Sequence, residues 1–132
     1  MLKRKILIID DDVELCEGMA TLLRHEGYMV ENTSDVFAGV NLIEEQEFNV
    51  VLLDFRMKGM NGIDILKKIQ SKNSKMKVFI ISGQPSIEEL LEDEKVSHLV
   101  AGIINKPFSA KVLLEKIKKS LEIIPPKSSG KK

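Results

Sequence analysis

The chain has 132 residues, 43% apolar and 30% charged, with 20 basic and 20 acidic side chains, which suits one domain with a real core and ordinary globular composition. Three lysines (Lys127, Lys131, Lys132) fall in an acid-free final stretch, leaving 17 basic against 20 acidic residues elsewhere, a balance that does not suggest a nucleic-acid surface, which needs a basic patch. No apolar run approaches the ~20 residues of a membrane span, the apolar run near the start is too short for a signal-peptide core, and the single cysteine, Cys16, cannot close an internal disulfide; a cytoplasmic protein that does not engage membranes is expected.

The first apolar run, ILII (Ile6 to Ile9), predicts a strand that ends on Asp10, Asp11 and Asp12. Leu15, Met19, Leu22 and Leu23 then recur at helical spacing, with Asp12 placed as N-cap and Gly27 as the stop. YMVEN (Tyr28 to Asn32) is the second strand, and Val36, Val40 and Ile43 form the stripe of the second helix. VVLL (Val50 to Leu53) is the third strand and runs into Asp54; Ile65, Leu66 and Ile69 mark the third helix. VFII (Val78 to Ile81) is the fourth strand and ends on Ser82; Ile87, Leu90 and Leu91 follow as the fourth helix, after Pro85 and Ser86. AGIIN (Ala101 to Asn105) is the fifth strand, followed by Lys106 and Pro107. Leu114, Ile117 and Leu121 give the fifth helix, with Ser109 as its N-cap. Three of the strands are continuous apolar runs, the pattern of parallel strands covered on both faces. Strand–helix alternation five times over implies right-handed crossovers and a three-layer α/β sandwich. This places one domain over residues 1–124 and a disordered tail or linker, PPKSSGKK, over 125–132.

The charged residues at the strand ends need a reason, because burying an unpaired carboxylate is costly. In open α/β sheets ligands bind outside the carboxyl ends of the strands at a topological switch point. Asp10, Asp11, Asp54, Ser82 and Lys106 all sit at such ends. Clustered carboxylates repel one another unless a cation joins them, and hard oxygen ligands suit Mg²⁺. Carboxylates beside Mg²⁺, with Lys and Ser donors opposite, make a site for a phosphoryl group.

The stretches ILIIDDD, VVLLDFRMKGMNG, FIISG and INKPF, in this order and at strand ends, make the chain resemble the receiver domain of bacterial two-component response regulators over roughly residues 3 to 124. The resemblance implies a flavodoxin-like sandwich with a five-stranded parallel sheet in order 2-1-3-4-5 and five helices. It implies that Asp54 is phosphorylated by the phosphohistidine of a sensor histidine kinase or phosphotransfer protein, as a nucleophile. Asp11 would bind Mg²⁺ directly, Asp10 largely through a water, Asp54 with them, and the backbone carbonyl of Arg56 would be another ligand. Lys106 would pair with a phosphoryl oxygen and Ser82 would donate to it. The Lys106–Pro107 bond is usually cis in the family. The output would pass to an output domain, or to a homodimer through the region from the fourth strand to the fifth helix. The chain would be a phosphoacceptor that supports its own phosphotransfer and slow autodephosphorylation, not an enzyme on another substrate.

Other readings fit less of the sequence. A receiver-like interaction domain that works without phosphate leaves the Asp11, Asp54, Ser82 and Lys106 set unexplained. An aspartyl-phosphate phosphohydrolase of the haloacid-dehalogenase type needs a general-acid Asp two residues after the nucleophile, where this chain has Arg56. Cys16 reads as a partly buried thiol with no charged neighbour beyond Glu17, and His25 and His98 are too isolated for a metal site. Several positions depart from the family pattern: Lys58 replaces a usual proline, Gly83 a usual alanine and Ile103 a usual aromatic, and the stretch from Ser82 to Lys106 is about two residues longer than usual. The acceptor chemistry is intact and the output machinery differs.

Overall fold

The computed structural model describes residues 4–57, 59, 61–72 and 75–122. The tail expected over 125–132, and Lys58 and Met60 in the loop after Asp54, lie outside them. Five strands, β1 (Lys5–Ile9), β2 (Met29–Thr33), β3 (Val50–Asp54), β4 (Lys77–Ser82) and β5 (Gly102–Asn105), alternate with five helices. The helices are α1 (Val13–His25), α2 (Val36–Glu45), α3 (Gly62–Lys72), α4 (Ile87–Asp93) and α5 (Ala110–Leu121), and a 3-10 turn, Ser97–Leu99, precedes β5. All strand pairs are parallel and the sheet order is β2-β1-β3-β4-β5.

The apolar runs explain which strands are central. Ile6 to Ile9 and all of β3 are buried, whereas β2, at one edge, alternates exposed and half-buried residues. Side chains alternate across the sheet, so two cores form. Leu7, Ile9, Val51, Leu53, Val78 and Ile80 pack under α2, α3 and α4. Ile6, Ile8, Val50, Leu52, Ile81 and Ile104 pack under α1 and α5. Each fully buried Ile or Leu contributes about 1.5–3 kcal/mol, and this apolar burial is what holds the sheet rigid beneath its loops.

Local signals set the helix ends. The Asp12 carboxylate accepts the Leu15 N–H and the Ser109 hydroxyl accepts the Val112 N–H, so α1 and α5 start where the N-cap residues stand. Past α1, Gly27 adopts φ +100°, a left-handed conformation that glycine reaches without steric cost. On α5 the core-facing residues are Leu113 and Ile117; Leu114, expected inward from spacing alone, is only half-buried. A short 3-10 turn at Ser97–Leu99 precedes β5, entered through Lys95 at φ +61°. No helix among the described residues is long and apolar enough to cross a membrane.

Candidate functional site

The winding of the sheet decides where a site can form. From β1 the chain places β2 on one side, then crosses to the other side of β1 for β3. The two crossovers leave a crevice outside the carboxyl ends of β1 and β3. Asp10 follows β1 and Asp54 ends β3. The alternation also fixes direction. Asp10 continues the parity of Ile6 and Ile8, Asp54 that of Val50 and Leu52, and Lys106 that of Ile104, all residues of the α1–α5 face. Ser82 continues the parity of Val78 and Ile80, on the opposite face.

Backbone bonds carry the ladders past the strands and hold these residues in place. Asp10 N–H donates to the Thr33 carbonyl at 3.1 Å, Phe55 N–H to Ile81 at 3.1 Å and Lys106 N–H to Ser82 at 2.8 Å. The Lys106–Pro107 peptide is cis. The loop after Asp54 is braced from α2: Gly59 has φ +100°, and a Cβ built there would lie 2.9 Å from the Phe37 ring. Asn61 caps the next helix by accepting the Ile63 N–H at 2.8 Å.

The structure brings Asp10, Asp11 and Asp54 together, with one carboxylate oxygen from each lying within 4.8 Å of the others. Asp10 is fully buried, Asp54 is 5% exposed and Asp11 faces solvent. The Lys106 Nζ stands 3.7 Å from Oδ2 of Asp10 and 3.7 Å from Oδ2 of Asp54, bridging the two buried acids. Asp10 Oδ1 accepts the Asp12 N–H at 2.9 Å and Asp54 Oδ1 accepts the Arg56 N–H at 3.1 Å. Asp10 Oδ2 has no hydrogen-bond donor. Burial pushes the Asp54 carboxyl up from the usual 3.8 to about 7; the Arg56 amide pulls against this, the Asp10 charge adds to it and Lys106 opposes it. One ammonium at 3.7 Å is therefore too little positive charge for the carboxylates it faces. Orphaned carboxylate oxygen, hard donors only and access through exposed Asp11 together fit a small divalent cation.

Ser82 is buried to 2% exposure, and its hydroxyl oxygen accepts the Gln84 N–H at 2.9 Å. It stands at the strand end beside the cluster, its hydroxyl turned to the Gln84 amide rather than to the acids, in keeping with its opposite parity. Arg56 follows Asp54 in the bend, its amide on the carboxylate and its side chain exposed. His25 and His98 are exposed, away from the acids. Cys16 is more deeply buried than expected and has a second charged neighbour: burial pushes its thiol up, the Asn32 amide pulls it back and the Asp10 carboxylate pushes it up again. The supporting roles of Asn32, Thr33 and Phe37 carry no mark in the sequence, since polar residues on an edge strand and an aromatic on a helix are commonplace.

Comparison with known proteins agrees with this geometry. The family model described as the response regulator receiver domain matches residues 6–118. Chemotaxis protein CheY-3 of Vibrio cholerae is 32% identical over 121 residues, covering 89% of this chain and 92% of that protein. The probable transcriptional regulatory protein TcrX of Mycobacterium tuberculosis is 29% identical over 107 residues, covering 79% of this chain but 44% of TcrX, so the chain spans less than half of that relative. The crystal structure of a CheY-like response regulator receiver domain protein from Methanospirillum hungatei superposes with a TM-score of 0.81 at 31% identity, covering 89% of this chain and 93% of that one.

Proposed function

The chain belongs to the response regulator receiver domain family, and from that premise we propose that Asp54 is its phosphoacceptor and that residues 1–124 form the receiver unit, with residues beyond 124 a tail or linker. The observation that carries the assignment is the buried Asp54 carboxylate facing Lys106 Nζ at 3.7 Å, beside Asp10 Oδ2 with no donor of its own. Asp10, Asp11, Asp54 and the Arg56 backbone carbonyl would hold Mg²⁺. Bound there, the ion supplies the positive charge that lets carboxylates and phosphoryl oxygens approach one another.

The chain's own groups do the rest. An Asp54 carboxylate oxygen attacks phosphorus in line with the phosphohistidine P–N bond; the new O–P bond forms as the P–N bond breaks, and the imidazole nitrogen leaves with the electron pair. Lys106, already between the two acids, pairs with a phosphoryl oxygen. Ser82 donates a hydrogen bond from its hydroxyl to another phosphoryl oxygen while its own oxygen keeps the Gln84 amide, which draws the loop from Ser82 to Pro85 toward the site. The donor is a sensor histidine kinase or phosphotransfer protein in the cytoplasm. The recipient of the change is an output domain or a second copy, reached through the surface from β4 to α5. The phosphorylated form loses its phosphate slowly, with exposed Arg56 beside the acceptor.

The test is intact-mass measurement after incubation with acetyl phosphate. One phosphoryl group should be gained with Mg²⁺ and none without it, and none by Asp54→Asn. Undiminished labelling of Asp54→Asn would remove Asp54 from the mechanism. Failure of the unsubstituted chain to gain phosphate or bind beryllofluoride with Mg²⁺ would favour a receiver-like interaction domain that works without phosphorylation.

A further inference from the structure

A path of hydrogen bonds runs from the molecular surface to the backbone of Asp10. Arg24, on α1, lays its guanidinium across β2 and donates to the Val30 carbonyl at 2.8 Å and to Asn32 Oδ1 at 3.2 Å. With its oxygen so engaged, the Asn32 amide presents Nδ2 to the sulfur of Cys16 at 3.8 Å. The thiol, 1% exposed, donates to the Thr33 carbonyl at 3.6 Å. That same carbonyl accepts the Asp10 N–H, and an acceptor with two lone pairs serves both donors. Beyond this junction stands the Asp10 carboxylate, one oxygen held by the Asp12 N–H, the other fully buried and without a donor.

The junction matters because of where β2 lies. It is an edge strand, half exposed, paired on one side only. The sheet therefore fixes Thr33 from one side, and α1 fixes it from the face through the Cys16 thiol, which Asn32 of β2 holds in turn. Displacement of the Thr33 carbonyl moves the Asp10 amide bonded to it and the carboxylate that follows. Mg²⁺ demands near-ideal octahedral ligand placement, so small displacements of Asp10 cost cation affinity. We infer that Cys16 and Asn32 are positioning residues for Asp10, and that they set the divalent-cation affinity of the acid cluster from behind the β1–α1 turn. This rests on the reading of Asp10 as part of a cation site.

Partners of metal ligands typically change affinity by about 10–100-fold when removed. Here the support acts through one further bond and a weak sulfur donor, so about a 3–10-fold loss is expected. The experiment is calorimetric titration of Mg²⁺ into the full chain, beside urea unfolding of each variant. Cys16→Ala and Asn32→Ala should each weaken Mg²⁺ binding by that factor, and Cys16→Ser, which restores a donor, should recover part of it. Phosphorylation from acetyl phosphate should return to the unsubstituted rate at saturating Mg²⁺, an effect on affinity rather than on turnover. Leu22→Ala, on the same helix and outside the path, should lower stability and leave the Mg²⁺ affinity unchanged. If Cys16→Ala does not fold, Asn32→Ala carries the test, since Asn32 is only half-buried. Unchanged Mg²⁺ affinity in Asn32→Ala, with normal binding by the unsubstituted chain, overturns this inference alone. Absence of saturable Mg²⁺ binding by the unsubstituted chain overturns the cation site, and this inference with it.

Discussion

Asp54 should destabilise the cation-free protein, and removing its charge should make the protein more stable. Its carboxyl is pushed from 3.8 to about 7 by burial and by the Asp10 charge, despite the Arg56 amide and Lys106. In the pH range between those two values the native state holds a proton that the unfolded chain has lost. Stability contributed by protonated Asp54 is thus fully present below the unfolded value and is lost as pH rises toward the folded one. At about 1.4 kcal/mol per unit, the whole window amounts to about 4 kcal/mol. Asp54→Asn does not titrate and keeps an oxygen for the Arg56 N–H, but it turns an amide toward Lys106. We therefore expect a net gain of about 2–4 kcal/mol above pH 7, falling to near zero at pH 4. The assay is urea unfolding followed by far-UV circular dichroism at several pH values, with chelator and then with Mg²⁺. Circular dichroism suits a chain without tryptophan. Added Mg²⁺ should narrow the difference, because the ion stabilises only the charged form of the site. A difference between the two proteins that stays constant from pH 4 to 8, or a less stable Asp54→Asn at pH 8, would refute the reasoning.

Arg56→Asn should speed loss of phosphate from the phosphorylated chain by removing an exposed, bulky cation two residues after the proposed acceptor, Asp54; a phosphate-release assay showing an equal or slower rate would count against the shielding role. Beryllofluoride with Mg²⁺ should shift amide resonances of residues 82–85 and α4 while Ile103, half-buried against the α2–α4 core, keeps its methyl environment; for the same reason Ile103→Tyr should alter partner binding far more than the rate of phosphorylation at Asp54. A large Ile103 methyl shift with residues 82–85 unmoved would reverse that assignment. Lys95→Gly should raise stability by about 1 kcal/mol, because Lys95 holds φ +61°, where a Cβ is disfavoured; a lower urea midpoint for this variant would show that the lysine side chain contributes more than the backbone relief.

What the sequence makes legible here is set by how local the physics is. Runs such as VVLL and ILII announce buried parallel strands because both faces of each strand must be apolar, and Asp12 and Ser109 announce helix starts because a cap bonds within its own first turn. Leu113 rather than Leu114 faces the core because the rotation of α5 is chosen by the sheet beneath it, not by its own spacing. The Cys16–Thr33 and Asn32–Cys16 bonds join residues 17 and 16 positions apart, across a helix–strand turn whose packing no local pattern records. The candidate site is legible for a different reason. Charges at the ends of apolar strands are locally unfavourable, and the fold does not relieve the conflict: it brings Asp10, Asp11 and Asp54 together, offers one lysine at 3.7 Å to two of them and leaves Asp10 Oδ2 without a donor. An arrangement so costly at the crevice between β1 and β3 calls for something that enters it, and the proposed divalent cation, followed by the proposed phosphoryl group, would meet the charge.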